Sequence, residues 1–217
     1  MLFDDKKIEF VLLEKLKGVD TKGWIFFAAA AVLAAALIIF LVQRRKKCTE
    51  PAASTGNPTP TVILVHGALC IAISFVLSYF KLFSMPNGGS ITLASMLPLM
   101  VYSNRYGAKY GVMAGVVYGF LQYIQKPEMT HWIQMLVDYP VAFGVIGLGG
   151  LVKGERSLVF SVLIGGTLRF LCHLFTGAVF FGEYAAAGQS AFMYSLLYNA
   201  PYMFCLLYTS PSPRDRG

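Results

Sequence analysis

Apolar residues in this chain gather in long, nearly unbroken runs separated by short polar breaks. Neither the strict alternation of a half-buried strand nor the one-sided stripe of a surface helix describes them. Runs close to 20 residues long are what a helix needs to cross a hydrocarbon layer of about 30 Å. The clearest are Trp24–Val42, Thr61–Phe80, Gly107–Ile124, Trp132–Leu151, Leu158–Phe181 and the run from Gln189 onward. A weaker run, Ile91–Ser103, is interrupted by Pro98 and predicts a short or kinked span whose freed backbone groups neighbouring helices satisfy. The pattern predicts an all-α membrane protein with seven helices.

Composition agrees: 56% of residues are hydrophobic, 13% are charged, and the mean hydropathy is +0.61. The net charge of +7 would point to nucleic acid in a soluble protein. Here it follows topology, because cytoplasmic loops collect Lys and Arg. Arg44, Arg45, Lys46 and Lys47 follow the first run, and Arg105 with Lys109 and Lys153 with Arg156 fall on the same side. The opposite loops hold Lys81, Lys126 with Glu128, and Glu183. The chain from Thr61 onward therefore starts inside, and Met1–Lys22 falls outside, or lies as an amphipathic helix in the membrane surface.

Four segments follow. Residues 1–47 form an N-terminal segment and a retained anchor, since Trp24–Val42 is too long for a signal peptide core and is followed by a basic stop. Residues 48–60, within "CTEPAASTGNPTPT", read as a flexible linker. Residues 61–204 form the working membrane domain. Residues 205–217, "CLLYTSPSPRDRG", break the pattern abruptly and are expected to be a non-native tail resembling a translated sequencing adapter. Cys48, Cys70, Cys172 and Cys205 show no paired spacing, so no disulfide framework is expected.

Polar side chains inside a spanning helix usually face a cavity or a partner. Asp138 lies six residues after Trp132, His173 eight before Phe181, and Tyr194 and Asn199 five and ten after Gln189. At 1.5 Å per residue all four sit roughly 8–15 Å below the outer surface, a shared depth that a pocket opening outward explains. The structural alternatives are an Asp138–Arg169 ion pair, belt positions for Tyr194 and Tyr139, and helix glue for Asn199. Aromatic residues crowd the same region, Phe181 among them, and rings around a carboxylate suit a flat organic cation. The loop Lys81–Thr92, with Asn87, Gly88, Gly89 and Ser90 at its turn, is a candidate lid. Phosphate-loop, zinc-protease and nucleophile-elbow motifs are all missing from the sequence. The chain is thus not expected to be an enzyme or to need a cofactor, and uphill transport would draw on an ion gradient or on partner subunits.

Several stretches carry a family resemblance: "GGSITLASMLPL" (Gly88–Leu99), "RYGAKYGVMAGVVYG" (Arg105–Gly119), "QMLVDYPVAFGVIGLGGL" (Gln134–Leu151), "RFLCHLFTGAVFFGEYA" (Arg169–Ala185) and "AFMYSLLYN" (Ala191–Asn199). In this order they resemble the thiamine-specific substrate-binding S-components of energy-coupling-factor (ECF) vitamin transporters. The resemblance covers residues 61–204 and leaves the anchor outside. It implies a six-helix bundle in a prokaryotic plasma membrane, preceded here by one extra transmembrane helix. The implied activity is capture of thiamine from outside without catalysis, for delivery inward when docked to a transmembrane coupling subunit and two cytosolic ATPases. Its implied ligand residues are Asp138, Tyr139, His173, Phe181, Tyr194 and Asn199. Phe181 stands where a member of the family carries Trp, and Asp138 where it carries Glu. Docking through the first helix of the unit would use Ala68 and Ala72, whose small-xxx-small spacing lets helices approach closely. Another vitamin or a thiamine precursor in the same pocket, and an intramembrane acid–base enzyme using Asp138 and His173, are the competing readings.

Overall fold

The computed structural model describes residues 13–47, 58–84, 90–92, 95–127, 131–152, 157–186 and 188–208. Seven of the described helices have ten residues or more: α1 (Thr21–Lys47), α2 (Pro60–Ser78), α3 (Leu97–Tyr106), α4 (Ala108–Gln125), α5 (Trp132–Leu151), α6 (Ser157–Phe180) and α7 (Ala191–Tyr208). Residues 48–57 of the expected linker and 209–217 of the expected tail lie outside the described residues, while α7 is helical through Tyr208. Among the described helices, Thr21–Gln43, Pro60–Ser78, Trp132–Leu151 and Leu158–Phe180 are long and apolar enough to cross a membrane. With 18 residues each, α4 and α7 reach about 27 Å.

Local chemistry sets the helix starts. Thr59 caps α2, accepting a hydrogen bond from the Val62 amide, and Pro60 follows at the first helical position, where its missing N–H costs nothing. Pro98 lies in the first turn of α3, one residue past its start at Leu97. Of the short or kinked span expected over Ile91–Ser103, the structure describes β2 at Ser90–Thr92 and a short, ten-residue helix from Leu97. Ten residues make about 15 Å, half a membrane. The candidate lid loop Lys81–Thr92 is partly paired: β1 (Lys81–Ser84) runs antiparallel to β2 (Ser90–Thr92). Gly107 turns the chain from α3 into α4 at φ 96°, a conformation glycine adopts without a Cβ clash.

Lipid is as apolar as leucine, so these helices are held together by close packing and interhelical hydrogen bonds. Glycines on α4 form a tight seam with α5. A Cβ on Gly115 would lie 2.3 Å from the Phe143 carbonyl oxygen, and one on Gly119 2.6 Å from the Tyr139 carbonyl oxygen. The core beside this seam contains Leu99, Met100, Tyr102, Tyr118, Phe143, Ile146 and Val162. At one end of the bundle the Ser103 hydroxyl donates to the Gly147 carbonyl at 2.6 Å and that of Ser161 to Gly149 at 2.7 Å. At the other end Ser78 reaches Gln125, Tyr139 reaches the Lys126 carbonyl, and the His131 ring stacks on Phe180. Asp138 belongs to this second end, the outer one in the charge-based topology.

Candidate functional site

The helix that carries Asp138 is not regular. Within α5, Trp132–Leu136 is α-helical, Val137–Val141 is a π turn, Ala142–Gly144 is α-helical again, and Val145–Leu151 winds as a 3₁₀ helix. Pro140 lies in the π turn. It has no N–H to give the carbonyl four residues back, and its ring crowds that carbonyl, so the winding opens there. Single π turns occur inside helices often at functional sites. The helix begins at His131, whose Nδ1 accepts from the Ile133 amide at 3.2 Å. Partial burial, and secondarily the nearby Lys15 charge, hold this imidazole below the ordinary histidine value of 6.5.

The π turn delivers the Asp138 carboxylate to α6. His173 Nδ1 lies 2.8 Å from Oδ1, the Thr176 hydroxyl donates to Oδ1 at 2.6 Å, and Gln134 Nε2 donates to Oδ2 at 2.8 Å. A carboxylate oxygen accepts, so toward Oδ1 the His173 Nδ1 acts as the donor. Two carboxylate oxygens offer about four acceptor positions. The described residues fill two on Oδ1 and one on Oδ2, leaving Oδ2 able to accept once more. The carboxylate is nearly enclosed, with 12% of the Asp138 side chain exposed.

His173, Thr176 and Gly177 share one face of α6 at helical spacing. Helix α7 closes on this face. The Ser195 hydroxyl donates to the Leu174 carbonyl at 2.8 Å, and Asn199 Nδ2 donates to the Ser195 carbonyl at 2.9 Å. A Cβ on Gly177 would lie 3.4 Å from Asn199 Nδ2. Asp138, His173 and Asn199 are therefore brought to one region, as the shared depth predicts. Tyr194 stands on α7 with its ring stacked on Tyr198, centroids 6.0 Å apart.

Other expected residues go elsewhere. The Tyr139 hydroxyl donates to the Lys126 carbonyl at 2.9 Å, and its ring meets Tyr123 edge-on, so it faces α4. Phe181 follows the last residue of α6 and stacks on Tyr184 at 6.3 Å. It lies eight residues beyond His173, about 12 Å along the helix, at the rim. Asn87, Gly88 and Gly89 lie outside the described residues, and Ser90 opens β2. Ala68 and Ala72 are exposed on α2, on a face shared with Leu69, Ile73 and Val76. The guanidinium of Arg169 sits 3.7 Å above the Phe143 ring.

Gln134 and Thr176, the other two partners of the Asp138 carboxylate, are absent from the sequence reading. Both were accessible to it: Gln134 precedes Asp138 by one helical turn, and Thr176 follows His173 by three residues, spacings that place side chains together.

Comparison with known proteins closes the description. The family model for thiamine transporter protein (Thia_YuaJ) matches residues 64–210. Thiamine transporter ThiT of Bacillus subtilis (strain 168) is 37% identical over 156 residues, covering 65% of this chain and 80% of that protein. Thiamine transporter ThiT of Lacticaseibacillus paracasei is 26% identical over 160 residues, covering 64% of this chain and 77% of that protein. The solved structure of ThiT from Listeria monocytogenes superposes with a TM-score of 0.60 at 25% identity, covering 70% of this chain and 91% of that one.

Proposed function

From the premise that this chain belongs to the thiamine transporter family, we propose that it is the thiamine-binding membrane subunit of an ECF-type importer, a multi-pass protein of a prokaryotic cell membrane. Residues 61–204 are its binding domain, and residues 1–47 add an anchor. It captures the vitamin from outside and delivers it inward once docked to a transmembrane coupling subunit and two cytosolic ATPases. The exposed face of α2 around Ala68 and Ala72 is the docking surface, because small side chains let a partner helix approach closely. The β1–β2 hairpin, with Asn87, Gly88, Gly89 and Ser90, is the lid.

The observation that carries this reading is a near-buried carboxylate held by His173, Thr176 and Gln134 beside Asn199. Thiamine joins a permanently positive thiazolium to an aminopyrimidine. Oδ2 of Asp138 accepts from the amino group while the carboxylate charge offsets the thiazolium. At about 5 Å and an effective dielectric of about 20, that attraction is worth about 3 kcal/mol. Asn199 and Tyr194 fix the ring edge, His173 lies toward the thiazolium, and Phe181 and Tyr139 add aromatic surface toward the rim. No group here is asked to break a bond, so the protein binds and releases its ligand unchanged.

Titrating the purified protein with thiamine, following its tryptophan and tyrosine fluorescence, tests the assignment. The account expects saturable quenching that the pyrimidine half of thiamine competes for weakly and riboflavin does not. Asp138→Asn keeps the shape of the side chain and removes its charge, so affinity falls at least about 100-fold, the factor for about 3 kcal/mol. Unchanged affinity in this variant would overturn the site.

A further inference from the structure

The segment before α1 lies outside the residues that the family model matches, yet it packs against the end of α6 beyond His173 and the turn that follows. Residues 13–17 are helical, and the chain then turns at Gly18, whose amide donates to the Glu14 carbonyl at 3.2 Å. Asp20 accepts from the Gly23 amide at 3.3 Å and starts α1. Between these points Val19 is 4% exposed, in a cluster with Ala178, Val179 and Phe180 that Phe181 and Ile133 pack against. Lys15 Nζ donates to the Phe180 carbonyl at 3.2 Å and pairs with Glu183 Oε2 at 3.3 Å. Just inside α1, Phe27 meets Phe175 edge-on at 5.4 Å and Phe192 at 5.8 Å, on the two helices that supply His173 and Asn199.

We propose that Lys15 is a positioning residue for ligand exchange: its ammonium clasps the Phe180–Glu183 corner that carries Phe181 and holds the rim of the site closed. The inference rests on the thiamine-binding reading above. An ammonium suits this place because the last carbonyls of a helix carry partial negative charge and lack helical partners. One bond to a carbonyl and one to a carboxylate on the far side of a turn fasten both flanks of Phe181. Val19 supplies the apolar foothold that keeps the clasp in register, so the corner opens only when Lys15 releases. The Lys15–Glu183 pair is partly exposed, at 23% and 59% of the two side chains. Such pairs contribute little to stability, so the clasp is a kinetic device rather than a structural support.

Stopped-flow mixing of the full chain with thiamine, and of the loaded protein with excess unlabelled ligand after preloading with radiolabelled thiamine, reads both rates. Lys15→Gln is expected to raise association and dissociation rates about fivefold each, leaving affinity and the thermal midpoint near those of the parent. Lys15→Arg keeps both contacts and restores the slow rates. Hydrogen exchange of residues 178–184 without ligand rises in Lys15→Gln and returns to the parent level in Lys15→Arg. Parent rates in Lys15→Gln, with or without faster hydrogen exchange, overturn the proposal while leaving thiamine binding intact. A parent protein that does not bind thiamine removes the functional reading and this inference with it.

Discussion

Gly177 is where α6 and α7 come closest beside the site, and Gly177→Ala measures how much that closeness matters. An alanine Cβ there would stand 2.2 Å from the Ser195 hydroxyl oxygen and 3.1 Å from Ser195 Cβ. Relieving the first overlap requires about 1 Å of movement, by turning the hydroxyl away from the Leu174 carbonyl it bonds at 2.8 Å or by pushing α7 outward. Overpacking of this kind costs about 1–3 kcal/mol. Displacing α7 carries Asn199 with it, so thiamine affinity falls about tenfold or more, equivalent to about 1.4 kcal/mol. Ser195→Ala removes the offending oxygen and leaves the 3.1 Å contact to Cβ and the ordinary 3.4 Å contact to Asn199 Nδ2. On its own it costs about 1 kcal/mol for the lost hydrogen bond. The double variant should therefore be more stable than Gly177→Ala alone, and its affinity should recover, a coupling that a double-mutant cycle isolates. Thermal unfolding in detergent and thiamine titration are the assays. Additive losses, or a Gly177→Ala protein indistinguishable from the parent, would refute the close approach.

Other variants probe the remaining supports. Gly115→Ala faces a backbone oxygen at 2.3 Å that cannot swing aside, so it should destabilise by about 3 kcal/mol, more than Gly177→Ala. Thr176→Val preserves shape and deletes the donor to Asp138, lowering stability by about 1.5–3 kcal/mol, whereas Thr176→Ser keeps the parent melting point. Pro140→Ala lets the helix wind regularly past Asp138; stability holds or rises while thiamine affinity drops about tenfold. His131 has a folded-state value below 6.5, so the unfolded chain takes up its proton first. Its contribution is fully present above 6.5 and is lost as pH falls through the lower folded value. Melting temperature should fall on acidification across that window, and His131→Gln should flatten the slope.

The apolar runs made the main helices readable in advance, because in a membrane the hydrocarbon layer itself dictates length and polarity. What they could not reveal was the winding inside one run. The run's mean hydropathy stays high across "VDYPV" despite Asp138 and Pro140, so hydropathy alone does not separate the π turn at Val137–Val141 from a regular helix. That winding decides which way neighbouring side chains point, which is why Asp138 joins His173 while the adjacent Tyr139 turns to Lys126. Depth along the helices located Asp138, His173 and Asn199, yet depth is blind to rotation about the axis. Gln134 and Thr176 are ordinary polar residues, and nothing in a single sequence tells such a side chain facing a carboxylate from one facing backbone. Pro98 interrupts the apolar pattern, and hydropathy does not reveal that it lies in the first turn of a helix. The clasp of Lys15 on Phe180 spans 165 residues, and no local pattern announces a contact between segments so far apart.

A structure of the protein with thiamine bound tests the central claim most directly, through the distance from the aminopyrimidine nitrogen to the carboxylate of Asp138. The account predicts about 3 Å to Oδ2, with Thr176 and His173 still on Oδ1. Thiamine seated away from α5 and α6, or an Asp138 carboxylate turned onto Arg169 with no ligand atom in reach, would contradict it.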